Sequence, residues 1–147
     1  MKEKRDPQCC IFCIAAAGTA DEENLVVYRG PATFAILNKY PYTSGHLMIA
    51  PYEHVSRLSR AREDSVAEMM RVARWAESIL EDLYCADGLN IGINLGEAAG
   101  AGIKEHIHLH VLPRWTGDAN FMTSVGATRV LPEALEETYA KLKHAFR

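Results

Sequence analysis

The stretch His106-Ile107-His108-Leu109-His110-Val111-Leu112 restricts this chain more than any other. Histidine and apolar side chains alternate without a break. A period of two is that of a β-strand, whose successive side chains leave opposite faces. A strand here sends Ile107, Leu109 and Val111 into a core. It also predicts three imidazoles in a solvent-facing row, each about 7 Å from the next. Packing alone does not require such a row. Pro113 is expected to stop the strand, and whatever the rest of the chain does must supply a sheet around it.

Leu25 to Tyr28 and Thr33 to Leu37 read as two more strands, joined by the turn formers Arg29-Gly30-Pro31. Asn38 to Gly45 is a loop. Leu47 to Ala50 is a third strand, ended by Pro51. A long helix is expected over Ser59 to Tyr84. Val66, Met69, Met70, Ala73, Ala76, Leu80 and Leu83 form its buried stripe; Arg71, Arg74, Glu77 and Glu81 lie opposite. Asp87-Gly88 is read as its end. Leu89 to Leu95 is a further strand, Gly96 to Gly102 a glycine-rich loop, and Pro132 to Phe146 a terminal helix with Leu135, Tyr139 and Leu142 on one face. The pattern is α+β: a mostly antiparallel five-stranded sheet with one long helix and a C-terminal helix. At 147 residues it fits a single domain, with residues 1–8 read as a flexible tail. Five short strands make a thin core, so the helix must cover one face, and a second subunit is one way to complete the sheet.

The net charge of −3 argues against a whole-surface attraction to nucleic acid or to an acidic membrane. No apolar run approaches the roughly 18 residues that span a bilayer. Lys2, Lys4 and Arg5 ahead of the apolar run Cys9 to Ala17 look superficially like a secretory signal. Glu3, Asp6, Pro7 and the cysteines in the run argue against one. Cys9, Cys10 and Cys13 crowd one segment and Cys85 stands apart, which is no disulfide framework; a reducing, cytoplasmic setting is expected.

Clustered imidazoles suit two kinds of chemistry. Histidine is the commonest metal ligand, although three on one flat strand face converge poorly on a single ion. A neutral imidazole also attacks phosphorus and forms a phosphoramidate that water or another acceptor resolves. That requires one ring nitrogen free and the other holding its proton, which a neighbouring histidine or carbonyl can enforce. Just upstream, Asn94 to Gly102 is either a plain connector or a turn whose backbone N–H groups cradle phosphate oxygens. Cys10-Ile11-Phe12-Cys13 is equally open: two thiolates for a tetrahedral zinc, a redox pair, or small buried side chains.

The sequence His106 to Leu112 resembles the His-φ-His-φ-His-φ-φ signature of the histidine triad (HIT) superfamily, where φ is apolar. Pro113-Arg114, the strand Gly45-His46-Leu47-Met48-Ile49-Ala50-Pro51 with His54, and Asn94-Leu95-Gly96 extend the resemblance to about residues 8–146. Leu37 to Tyr42 and Pro113 to Met122 most resemble the bacterial diadenosine tetraphosphate phosphorylases. The resemblance implies a nucleotide hydrolase or transferase acting on the α-phosphate of dinucleoside polyphosphates through a nucleotidyl-histidine. It implies His108 as nucleophile, His110 as the group that contacts phosphate and assists the leaving group, and His46 as support. It also implies Asn38 at the ribose, and Asn94 with loop residues Gly100 and Gly102 at the phosphates. Trp115 would meet a base or a partner subunit, or simply pack behind the strand. Many members carry a Gly-Gln-Ser/Thr segment before the triad. Gly100-Ala101-Gly102-Ile103 stands there instead, which leaves the preferred leaving group and the final acceptor open.

Some bacterial members close a structural zinc site with two histidines, which here match His54 and His106 and would join Cys10 and Cys13. Cys9, Cys85 and His144 are expected to be bystanders. The family resemblance further implies a homodimer, with the long helix or the terminal segment at the interface, and no organic cofactor. A purine nucleoside phosphoramidase of the Hint type, a nucleotide-binding regulatory module and a metal-dependent hydrolase are the competing readings.

Overall fold

The computed structural model describes residues 9–120 and 133–147; the tail 1–8 and the stretch 121–132 lie outside them. The strands are β1 (Val26–Arg29), β2 (Thr33–Leu37), β3 (Leu47–Pro51), β4 (Gly88–Ile93) and β5 (Leu109–Arg114). The helices are α1 (Ile11–Ala17), α2 (Glu63–Tyr84) and α3 (Leu135–Ala145). The strands form one antiparallel sheet in the order β1-β2-β3-β5-β4. The expected α+β class and the five-stranded antiparallel sheet are both present. No described helix is long and apolar enough to cross a membrane.

The sheet is covered on both faces. Alternation along the strands sends Val27, Ala35, Leu37, Leu47, Ile49, Leu109 and Val111 to one side, where Met69, Val72, Ala73, Ala76, Ile79 and Leu80 of α2 and Leu142 of α3 meet them. Val26, Phe34, Ile36, Met48 and Ala50 go to the other side, under Cys10, Phe12 and Ala15. α1 was not foreseen, and it corrects the solvent-facing row of imidazoles. His106 and His108 are 0% and 5% exposed, because Phe12 of the short helix lies against both rings, and His46 is 1% exposed with Tyr42 and His110 against its ring.

Other differences are local. Pro113 does not end β5, because β3 pairs with β5 only as far as Val111. Beyond that point Pro113 turns its carbonyl to the vacated side, where it accepts the Thr43 hydroxyl at 3.2 Å, and its missing N–H faces the same way. Pro51 likewise closes β3 opposite Thr33. α2 starts at Glu63, after a single 3-10 turn at Leu58–Arg60, and ends at Cys85, which takes a left-handed conformation at φ 48°. Gly88 opens β4 instead of closing the helix. The buried arc of α2 includes Val72 and Ile79 but leaves Met70 and Leu83 at 54% and 40% exposure: Met70 lies about 100° around the helix from buried Met69, and Leu83 stands in the last turn, past Leu80 where the buried positions end.

Glu68 reaches from α2 into the β1–β2 turn. One carboxylate oxygen accepts the Ala32 and Thr33 N–H groups at 3.0 Å each and the Thr33 hydroxyl at 2.9 Å. A Cβ on Gly30 would run into that carboxylate. At the β1 edge, Tyr139 and Lys143 of α3 donate to the Val26 carbonyl. β4 closes the other edge with its side chains largely exposed.

Candidate active site

His46 sits one residue before β3, after Gly45, whose φ of 82° turns the chain into the strand. Met48 and His110 are cross-strand partners, so His46 and His110 share a face and lie side by side. The Tyr42 backbone N–H donates to His46 Nδ1 at 3.2 Å. That nitrogen is therefore the acceptor, and Nε2 carries the proton. His46 Nε2–H donates to His110 Nδ1 at 2.9 Å, which leaves the proton of His110 on Nε2. Asn38 completes the arrangement: its Oδ1 accepts the Tyr40 N–H at 2.9 Å and its Nδ2 lies 3.4 Å from His46 Nδ1.

His108 takes the opposite tautomer. Its Nδ1–H donates to the His106 carbonyl at 2.9 Å, leaving the Nε2 lone pair free. Its ring stands edge-on to His110, with centroids 4.8 Å apart. Burial pushes the pKa of His108 below its ordinary value, and burial together with the neighbouring His108 pushes His110 down to about 4. Both shifts favour the neutral ring, the form a nucleophilic imidazole must take.

His106 faces away from this pair. Its Nε2–H donates to the Pro51 carbonyl at 2.9 Å, so Nδ1 is the free nitrogen. Cys10 Sγ lies 3.5 Å and Cys13 Sγ 3.6 Å from it, and Cys13 Sγ lies 3.2 Å from His54 Nδ1. The four donor atoms all lie within 4.8 Å of one another. Tetrahedral zinc, with Zn–S about 2.3 Å and Zn–N about 2.0–2.1 Å, sets sulfur and nitrogen ligands roughly 3.5 Å apart. The donor set fits zinc in type, number and spacing, and the Pro51 carbonyl supplies the outer hydrogen bond usual for a metal-bound histidine. Burial, then the Cys10 thiol, pushes Cys13 up to about 11; a divalent cation reverses that preference and holds the thiolate.

The loop residues are gathered less tightly. Asn94 lies next to Gly100, its amide nitrogen 3.8 Å from where a Gly100 Cβ would stand. The Gly100 N–H donates to Glu97 O at 3.0 Å and the Ala101 N–H to Gly96 O at 3.2 Å, so in this conformation both are used within the turn. Gly102 is exposed, with nothing within 4 Å of a Cβ. Trp115 is not brought to the histidines. Its indole N–H donates to the Tyr84 carbonyl at the end of α2, at 3.1 Å. Cys9, Cys85 and His144 are exposed and join neither cluster.

Sequence reasoning missed three residues at the site. Tyr42 stacks over His46 and His110, at 4.8 and 6.4 Å between centroids. Phe12 lies against His106 and His108 at 5.1 and 4.8 Å. Gly92 pairs with His110, and a Cβ there would meet nothing within 4 Å, so the floor beside His110 is open. Only Gly92 follows from the pairing register; Tyr42 lies in a loop and Phe12 on a helix outside the sheet, and tertiary packing brings both to the histidines.

An antiparallel sheet with one free-Nε2 histidine, a second held in the opposite tautomer by a third, and a fourth turned to a thiol pair defines an α+β domain built around a histidine row. Residues 19–117 match the HIT domain, and the chain belongs to that family. It is 45% identical over 119 residues to an AP-4-A phosphorylase of Mycobacterium tuberculosis, covering 81% of this chain and 61% of that protein, so it spans about three fifths of the curated relative's length. Among solved structures it is similar to a Zn-bound histidine triad family protein from Mycobacterium smegmatis. There the identity is 32%, the TM-score 0.76, and the coverage 96% of this chain and 95% of the other. It is also similar to a hypothetical histidine triad nucleotide-binding protein from Sulfolobus tokodaii, at 30% identity, TM-score 0.73 and coverage of 93% and 91%.

Proposed function

We propose that the protein is a nucleotidyl hydrolase or transferase that attacks the α-phosphorus of dinucleoside polyphosphates with His108. The observation that carries this reading is the pair of opposed tautomers. His108 Nδ1–H is held by the His106 carbonyl, so the Nε2 lone pair is available, while His46 leaves His110 Nε2–H as a donor beside it. His108 Nε2 forms the N–P bond as the bond from phosphorus to the departing phosphate chain breaks. The leaving polyphosphate departs as its anion and needs hydrogen bonds more than a proton; His110 Nε2–H and the Asn94 amide supply them. The positive charge gained by the nucleotidyl-His108 ring is stabilised through Nδ1–H by the His106 carbonyl. Water or orthophosphate then forms the new O–P bond, the N–P bond breaks, and His108 is restored. Asn38 at the ribose, Gly102 at the phosphates and Trp115 at a base or partner are assigned from the family resemblance; a positional role for Asn38 at His46 is compatible with the first of these.

Zinc bound by Cys10, Cys13, His54 and His106 would neutralise two thiolates and tie α1 to the sheet, a structural role with no open coordination position. A homodimer is proposed as well; Met70 and Leu83 on α2 and Ile91 on β4 offer exposed apolar surface. Four free thiols support a reducing compartment, the cytoplasm.

The test is product analysis with diadenosine tetraphosphate, with and without orthophosphate, on the wild type and His108→Ala. ADP plus ATP only with phosphate establishes phosphorolysis; AMP plus ATP without phosphate establishes hydrolysis. Undiminished activity in His108→Ala ends the nucleophile assignment. Absence of both reactions in the wild type ends the dinucleoside polyphosphate reading.

A further inference from the structure

Between the two thiols of the proposed metal clasp stands Phe12, the one aromatic side chain of α1. It is 0% exposed and among the largest fully buried side chains of the described residues. Its ring lies 4.8 Å from the His108 ring at 33° and 5.1 Å from the His106 ring at 46°. A ring so wedged restricts rotation of the nucleophile about its χ angles.

α1 has only seven residues, too few to hold itself together, and it is fastened at both ends. At its start, Cys10 and Cys13 meet His54 and His106. At its end, the Arg29 guanidinium of β1 donates to the carbonyls of Ala15, Ala16 and Gly18 at 2.7, 3.2 and 2.9 Å, and its Nε–H donates to Asp21 at 2.9 Å. The clasp and the nucleophile also share a residue. His106 offers Nδ1 to the thiols while its own carbonyl receives His108 Nδ1–H. Two routes therefore run from the clasp to His108: one through the His106 backbone, one through Phe12.

We propose that Phe12 is a positioning residue for nucleotidyl transfer, holding His108 in the ring orientation and tautomer that free Nε2, and that the closed Cys10–Cys13–His54–His106 clasp sets this orientation as well as stability. The inference rests on the reading of His108 as nucleophile. It predicts effects on the resting protein that do not need a substrate.

The experiment records the imidazole 15N resonances of zinc-loaded wild type, Phe12→Leu and Ile14→Ser, with His108 identified by its loss in His108→Ala. kcat and KM are measured alongside. Ile14 is on the same helix, 49% exposed, and serves as the control. Wild type and Ile14→Ser should show one His108 tautomer, with the proton on Nδ1. Phe12→Leu should show exchange between both tautomers and a kcat lower by about tenfold with KM within twofold, as misaligned nucleophiles do. Chelated wild type, below its melting temperature, should show the same exchange. If Phe12→Leu does not fold, Phe12→Met carries the same comparison. A single Nδ1–H tautomer in both the variant and the chelated protein, with only melting temperature lowered, overturns the proposal. Wild type that turns over no dinucleoside polyphosphate refutes the functional reading, while the tautomer measurement still decides the role of Phe12.

Discussion

Replacing His46 by alanine separates a relay that positions a proton from one that transfers it. His46 is 1% exposed, and its Nε2–H donates to His110 Nδ1 at 2.9 Å. That hydrogen bond biases His110 toward the tautomer with its proton on Nε2, the donor that the proposed function requires. A buried hydrogen bond of this kind contributes about 1–1.5 kcal/mol net. At 1.36 kcal/mol per factor of ten, its loss lowers the correctly protonated fraction, and with it kcat, by roughly five- to thirteenfold. Stability falls as well, because a ring-sized cavity opens between Tyr42 and His110 and the hydrogen bond from the Tyr42 N–H is lost; about 3 kcal/mol is expected. The assay is steady-state turnover of diadenosine tetraphosphate well below the variant's melting temperature, with a urea titration for stability. A loss of a thousandfold or more would refute the positioning argument, since only direct participation in proton transfer has effects of that size. A loss below twofold would show that His46 does not set the proton on His110.

Three further outcomes follow from the same geometry. Glu68→Ala removes the acceptor of two backbone N–H groups and one hydroxyl; stability should fall by about 3 kcal/mol and Tm by roughly 10 °C in a thermal melt. A loss under about 1 kcal/mol would mean that water replaces the carboxylate. Chelation should lower Tm and release zinc in a colorimetric assay, and Cys10→Ser should bind no zinc tightly; an unchanged Tm on chelation would remove the clasp from the stability of the fold. Burial holds His110 near pKa 4 against its ordinary 6.5. The unfolded chain thus binds this proton first, and the stability contributed by neutral His110 is complete above pH 6.5 and is lost as pH falls toward 4. Urea titrations of the wild type and His110→Phe between these limits should diverge in slope, and parallel curves would contradict the burial.

Much of the site was legible from residue order because strands and helices convert spacing into direction. The alternation from His106 to Leu112 assigns Leu109 and Val111 to one face and His108 and His110 to the other, as observed. Thr33 to Leu37 is a strand over the expected residues, since Gly30-Pro31 and Asn38 bracket a β-rich run. The errors have physical causes. Cys10 to Ala17 lacks the length and polarity contrast that mark an amphipathic helix, and α1 exists through its contacts with the sheet and with Arg29. Prolines 51 and 113 remain inside strands because pairing is one-sided at those positions, a property of the neighbouring strand and not of the proline.

Residue order alone therefore determined which residue types form the histidine row, the parity of the strands that carry them and the thiol pair Cys10 and Cys13. These are local quantities, set by the two-residue period of an extended backbone. The tertiary structure decided which nitrogen of each imidazole holds the proton, because every partner that settles it comes from a different part of the chain or from the backbone: Tyr42 N–H for His46, His46 for His110, the His106 carbonyl for His108, and the Pro51 carbonyl for His106. It also decided that His106 and His108 are buried, since Phe12 of α1 lies against both. A hydrogen bond between groups tens of residues apart depends on register and packing together, and no periodicity within either segment encodes it.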